Sequence, residues 1–179
     1  MLQITIPASE LWDEENQKFI TIKEQTLTLE HSLVSLSKWE SKWKKPFISN
    51  NTRTIEETID YIRCMTITQN VDQKIYAFLT NDNIEQVNKY IEDSMTATWF
   101  TGKQKGKASS KQITSELIYY WMISLNIPFE CQKWHLNRLM TLIRVCNEEN
   151  QPSKKMSKRD TLNQYRALNA ARRKKHSRR

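Results

Sequence analysis

Only two glycines, Gly102 and Gly106, occur in the 179 residues of the chain. Glycine lets a backbone turn through positive φ or bring its amides against a phosphate. A chain almost free of it is ill suited to the glycine-rich turns of dinucleotide folds, phosphate-binding loops and nucleophile elbows. The segment that holds both glycines, Gly102-Lys-Gln-Lys-Gly106-Lys107-Ala108, has three residues between them where a phosphate-binding loop needs four, and Ala108 where that loop needs a hydroxyl for magnesium. It reads as part of an exposed loop running from Ser94 to Lys111. The composition thus argues against most enzyme classes, and the expectation is a protein without catalysis and without a cofactor.

Charge divides the chain in two. Eleven of the 28 Lys+Arg and one of the 20 Asp+Glu fall in residues 150–179, which leaves 17 basic against 19 acidic residues in 1–149. The body is close to neutral and the end strongly basic, so the pI of 9.4 belongs to the end alone. The basic end has four large apolar residues, Met156, Leu162, Tyr165 and Leu168, too few to offset the entropy of ordering an independent unit. The organisation expected is a globular domain over 1–149 and a basic tail over 150–179, the tail a marginal helix from Ser157 to about Ala171 with a disordered run beyond. Three cysteines, Cys64, Cys131 and Cys146, in a chain whose first residues resemble no signal peptide suggest free thiols in a reducing compartment. The longest apolar run, Leu117 to Ile123, is far shorter than a membrane span.

The hydrophobic period predicts an α+β, mostly α fold: a small N-terminal antiparallel sheet, β-rich over 1–34, followed by a helical bundle over 35–149. Leu2, Ile4 and Ile6 alternate with polar residues, Phe19–Ile22 and Thr26–Leu29 continue the β-branched character, and Asp13-Glu14-Glu15-Asn16 is placed to close a hairpin after Trp12. Leu33, Leu36, Trp39 and Trp43 then step at three and four, with Ser37 and Glu40 spaced as a capping box and Pro46 as the stop. Thr54 and Glu57 form a second box that opens a helix over 55–68. Asp72 caps a short helix, another runs over about 82–92, and two stronger ones carry Ile113 to Leu125 and residues 130–147. The short link between these last two predicts an antiparallel pair.

Candidate chemistry is sparse. Cys131 and His135 stand at i and i+4, a spacing that holds zinc only if further ligands converge; packing as small apolar groups is the simpler account. The carboxylates Asp13-Glu14-Glu15, Glu56-Glu57 and Glu148-Glu149 fall in turns and helix ends, where solvation explains them. Trp121 and Trp134 sit on apolar helical faces and read as core. Trp39 and Trp43 are flanked by Lys38, Lys42, Lys44 and Lys45: either they form an exposed aromatic ridge that grips a partner, or they pack on the N-terminal sheet while the lysines reach to solvent. Trp99-Phe100 at the loop's edge carries the same ambiguity. The partner-binding candidates are therefore Trp39, Trp43, Trp99 and Phe100. A second set is the basic tail, namely Lys154, Lys155, Lys158, Arg159, Arg172, Arg173, Lys174, Lys175, Arg178 and Arg179. Such a tail grips phosphates, docks on an acidic protein surface, or merely solubilises.

The blocks Leu29–Trp43, Glu57–Thr66, Thr114–Ile123, Ile127–Leu139 and Leu168–Lys175 resemble tail assembly chaperones of long-tailed bacteriophages. The resemblance spans nearly the whole chain and carries no catalytic residues. It implies a non-catalytic factor of the host cytoplasm that holds the long helical tape measure protein until tail tube subunits polymerise around it, and that is absent from the finished virion. Such proteins are often made in a short form and a frameshifted long form. Two other readings stay open: a nucleic-acid-binding protein that uses the basic tail, and a structural tail or head component.

Overall fold

A computed structural model describes residues 1–14, 17–49, 52–100, 112–150 and 158–176. The fold is α+β and mostly α. Four strands open it: β1 (Leu2–Ile6), β2 (Ser9–Asp13), β3 (Lys18–Ile22) and β4 (Gln25–Leu29). β1 pairs antiparallel with β4, and β2 with β3. Both ladders keep one register, since Leu2 faces Leu29, Ile6 faces Gln25, Ser9 faces Ile22 and Asp13 faces Lys18. They form one long hairpin broken at Pro7-Ala8 on one arm and Lys23-Glu24 on the other. Pro7 marks the break because it has no N–H to give a ladder. Alternation sends Ile4, Ile6, Leu27 and Leu29 into the core, while Thr5 and Thr26 pair through their hydroxyls outside.

Helices follow: α1 (Leu33–Trp43), α2 (Ile55–Met65), a 3-10 turn (Gln73–Phe78), α3 (Asn81–Glu92), α4 (Ser115–Ser124), a second 3-10 turn (Phe129–Lys133), α5 (Leu136–Glu149) and α6 (Lys158–His176). The chain divides into two compact units, Met1–Asn147 and Glu148–Arg179. Among the described residues no helix is long and apolar enough to cross a membrane.

The segment Glu30-His31-Ser32, between β4 and α1, gathers the first unit. Its backbone takes one bond from each side: Glu30 N–H donates to the Met65 carbonyl at the end of α2, and Leu136 N–H at the start of α5 donates to the His31 carbonyl. The Glu30 carboxylate accepts from the Tyr90 hydroxyl of α3 at 2.8 Å and pairs with the Met1 ammonium at 3.1 Å. His31 Nδ1 shares a 2.6 Å hydrogen bond with the Tyr61 hydroxyl of α2, and its ring lies 5.0 Å from that of His135. Ser32 caps α1. All three residues are buried, so their polar groups need these partners.

Several local expectations change. α1 starts at Leu33 and its capping box is Ser32 with Ser35, not Ser37 with Glu40. Glu40 is instead buried, accepting from the backbone N–H of Phe47 and of Ser115. α2 ends at Met65 rather than 68 because Thr66 and Ile67 pair with β4. The helix expected over 130–147 is split: residues 129–133 form a 3-10 turn, and the break at Trp134-His135 is where the chain makes a bridge to Ser32. α4 packs chiefly on α1 and not as an antiparallel partner of α5. Asp72 caps as expected, but a 3-10 turn. α6 extends past Ala171 to His176.

Burial, then the neighbouring His135 and Arg53, lowers the His31 pKa to about 3, and burial lowers that of His135. The unfolded chain therefore takes up protons first as pH falls below about 6.5, so stability is full above that value and is lost toward the folded His31 value. The urea midpoint should drop between about pH 7.5 and about pH 5, and the drop should shrink in His31→Gln. A midpoint indifferent to pH over that range contradicts burial of neutral imidazoles.

Candidate protein-binding surfaces

The structure separates the four aromatic candidates. Trp39 has 0% exposure. It packs against Phe47 and Tyr61, and its Nε1–H donates to the Glu57 carbonyl at 2.9 Å. It is a core residue joining α1 to α2, so it forms no ridge, and it lies in the same buried cluster as the strand residues Ile4, Ile6, Leu27 and Leu29. Trp43, one turn on, is half-buried and stacked on Trp39 with centroids 6.1 Å apart. Trp99 is 85% exposed. Phe100 is half-buried beneath the Arg144 guanidinium, 3.6 Å from its ring centre. Trp121 and Trp134, expected inside, are half-buried and pack on the core from its edge.

Trp43 belongs to a cleft of about 440 Å³ between α1 and α2, lined by Lys42, Trp43, Ile55, Glu56, Ile59, Asp60 and Arg63. The Thr54–Glu57 capping box sets the start of α2, as its sequence predicts, and thereby fixes Ile55, Ile59 and Arg63 along the cleft. Asp60 organises the wall. Its carboxylate accepts from Lys42 Nζ at 2.6 Å, Trp43 Nε1 at 2.8 Å and Arg63 at 3.3 Å. Burial pushes the Asp60 carboxyl up, but the bonds from Lys42 and Trp43 and the Arg63 charge outweigh it and hold the group below its usual range. Glu57, read from sequence as a surface carboxylate, is buried. It accepts from Lys45 at 2.5 Å and from Thr54 N–H at 3.0 Å, bonds that lower its pKa. Lys42 and Lys45 lie 5.7 and 5.9 Å from the Trp43 ring centre, within cation–π range. Asp60 and Glu57 thus face inward, while Glu56 and the lysines face outward. Arg63 Nε is buried and finds no hydrogen-bond partner among the described residues.

A second apolar surface lies on α4, where Tyr120 and Ile123 are exposed, with Phe129 exposed beyond the helix end and its ring 6.5 Å from that of half-buried Tyr119. The sequence signal for this face is the unbroken run Leu117–Ile123. Seven consecutive apolar residues cover every side of a helix, so a helix that buries one side must expose the rest.

In the second unit, α6 carries Lys158, Arg159, Arg172, Arg173, Lys174 and Lys175. Arg159, Arg166, Arg172 and Arg173 are exposed, as are Leu162, Tyr165 and Leu168. Lys154, Lys155, Arg178 and Arg179 lie outside the described residues, as does the Gly102–Ala108 loop.

Among the described residues no group of His, Cys, Asp and Glu side chains is arranged to hold a metal. Cys131 and His135 are not on one helical face, because the helix breaks between them. His135 Nε2 bonds with the Tyr90 carbonyl at 2.9 Å. All three cysteines are free, and burial raises the Cys64 and Cys131 thiol pKa values, which makes neither an activated nucleophile. No known protein family, curated protein or solved structure matches the chain.

Core and surface tryptophans should separate in equilibrium urea unfolding. Trp39→Ala should cost about 3–5 kcal/mol, as truncation of a buried aromatic does, whereas Trp99→Ala should stay within about 0.5 kcal/mol.

Proposed function

We propose that the chain is a non-catalytic assembly factor of long-tailed phages, which holds the helical tape measure protein in the host cytoplasm while tail tube subunits polymerise and leaves before the virion is complete. The observation that carries this reading is the exposed pair Tyr120 and Ile123 on a helix whose other side is fixed in the core, with Phe129 exposed in the 3-10 turn beyond it. An amphipathic partner helix lays apolar side chains at three- and four-residue spacing against such a surface, and rigid aromatic anchors lose little entropy on contact. The sequence resemblance to tail assembly chaperones points the same way. The basic α6, with Leu162, Tyr165 and Leu168 exposed among its arginines, suits recruitment of an acidic stretch of the same partner.

Co-expression with the tape measure protein from the same tail gene region should raise that protein's soluble fraction and recover the two together. Tyr120→Ser with Ile123→Ser should weaken the capture about tenfold or more. A tape measure protein equally soluble with and without this chain removes the reading.

The density of arginine and lysine on α6 favours one alternative, nucleic-acid binding through the tail. It requires retention on heparin or DNA that falls with the logarithm of salt and vanishes when residues 150–179 are deleted. Persistence of the chain in purified particles would favour a structural component instead.

A further inference from the structure

Two features of the first unit lie apart in the sequence and complement each other. One is the outer half of the hairpin. Trp12 and Phe19 face each other across β2 and β3 with ring centroids 4.9 Å apart, and are 48% and 65% exposed. The sequence around them is acidic, with Glu10, Asp13, Glu14 and Glu15 against Lys18. Of the described side chains of this outer ladder, Ile22 joins the core, and the two strands pack mainly on one another. An aromatic pair is thus held out on an acidic finger.

The other feature is the α1–α2 cleft. Its apolar floor is Trp43, Ile59 and Ile55, the last 77% exposed at the first position of α2. Its acids Glu57 and Asp60 are consumed inside, leaving Glu56 at the rim. The outward charges along α1 and α2 are Lys38, Lys42, Lys44, Lys45 and Arg63. The Lys42 ammonium has three N–H groups and the Arg63 guanidinium five, more than Asp60 takes up, and Arg63 Nε is left without a bond. Such a cleft calls for apolar or aromatic side chains flanked by carboxylates.

We propose that the occupant is a second copy of this chain, with the Trp12–Phe19 finger of one copy seated in the α1–α2 cleft of the next. The aromatic pair covers Ile55, Ile59 and Trp43, and the exposed Glu10 and Glu14 beside it supply carboxylates to Lys42, Lys45 and Arg63. The charge match gives the contact its orientation and a dependence on salt. Because finger and cleft are different surfaces, the contact is heterologous. It does not use Tyr120, Ile123 or Phe129, so it is independent of the partner reading above.

The test is sedimentation velocity on the full chain over a concentration series, with far-UV circular dichroism to check folding. The wild type should associate reversibly, more strongly at low salt. Trp12→Ser with Phe19→Ser removes the finger's rings, and Ile55→Glu places an acid on the cleft floor; both act at exposed positions, and each variant alone should associate about tenfold or more weakly. Mixed, the two should form a one-to-one dimer, since one keeps an intact cleft and the other an intact finger. A wild type that stays monomeric to its solubility limit overturns the proposal. So does association untouched by either variant, or a mixture that fails to pair while the wild type associates.

Discussion

The hydrogen bonds of Glu30-His31-Ser32 are the constraint on which the first unit depends. Three buried residues carry polar side chains and amides that water cannot reach, so each must find a partner within the protein, and the partners come from different elements: Met1, Met65 and Tyr61 of α2, Tyr90 of α3, Leu136 of α5. An orphaned group at such a place costs more than a satisfied one returns. Elements that bury the junction must therefore arrive together and in one geometry. The apolar core supplies the driving force, but it does not distinguish one arrangement of helices from another as sharply as this junction does.

The interface of α1 with α2 repeats the principle. Glu40, Glu57 and Asp60 all point inward and serve as acceptors for backbone amides, an indole and ammonium groups. The lysines that pair with them remain half in solvent. A mainly basic surface, with Glu56 as its exposed acid along α2, is thereby built from a region whose formal charges are less unequal, because burial sorts the signs.

What the sequence discloses follows from the range of the interaction involved. The Thr54–Glu57 box, the Asp72 cap and the helix through Ile84, Val87 and Tyr90 depend on residues within a turn of each other, and all three are where their patterns place them. The start of α1 rests on a local Ser32–Ser35 box that lacks the usual acidic or amide partner, so Ser37 with Glu40 offers a stronger decoy, and the break at Trp134-His135 coincides with a bridge to Ser32 across the fold, which is not visible locally. The common register of the two ladders likewise depends on strands that meet only after folding. Of the surface residues, Trp43 is legible through its flanking lysines, but a lysine also precedes Trp39, and only the position of α2 tells the buried ring from the half-buried one. Ile55, Arg63 and the Trp12–Phe19 pair gave no signal of their own, since exposure is a property of what fails to cover them. The α4 face is legible in principle, because a helix packed on one side only cannot hide a continuous apolar run.

Five described residues hold positive φ, and none is glycine: Gln17, Lys44, Asn70, Met95 and Asn126. Each accepts steric cost that glycine would avoid. In exchange the unfolded chain wanders less, because every residue with a Cβ has fewer backbone states to surrender. A body with free thiols and no crosslink among its described cysteines thus begins folding from a narrower ensemble, and part of its persistence resides in disorder the chain never had.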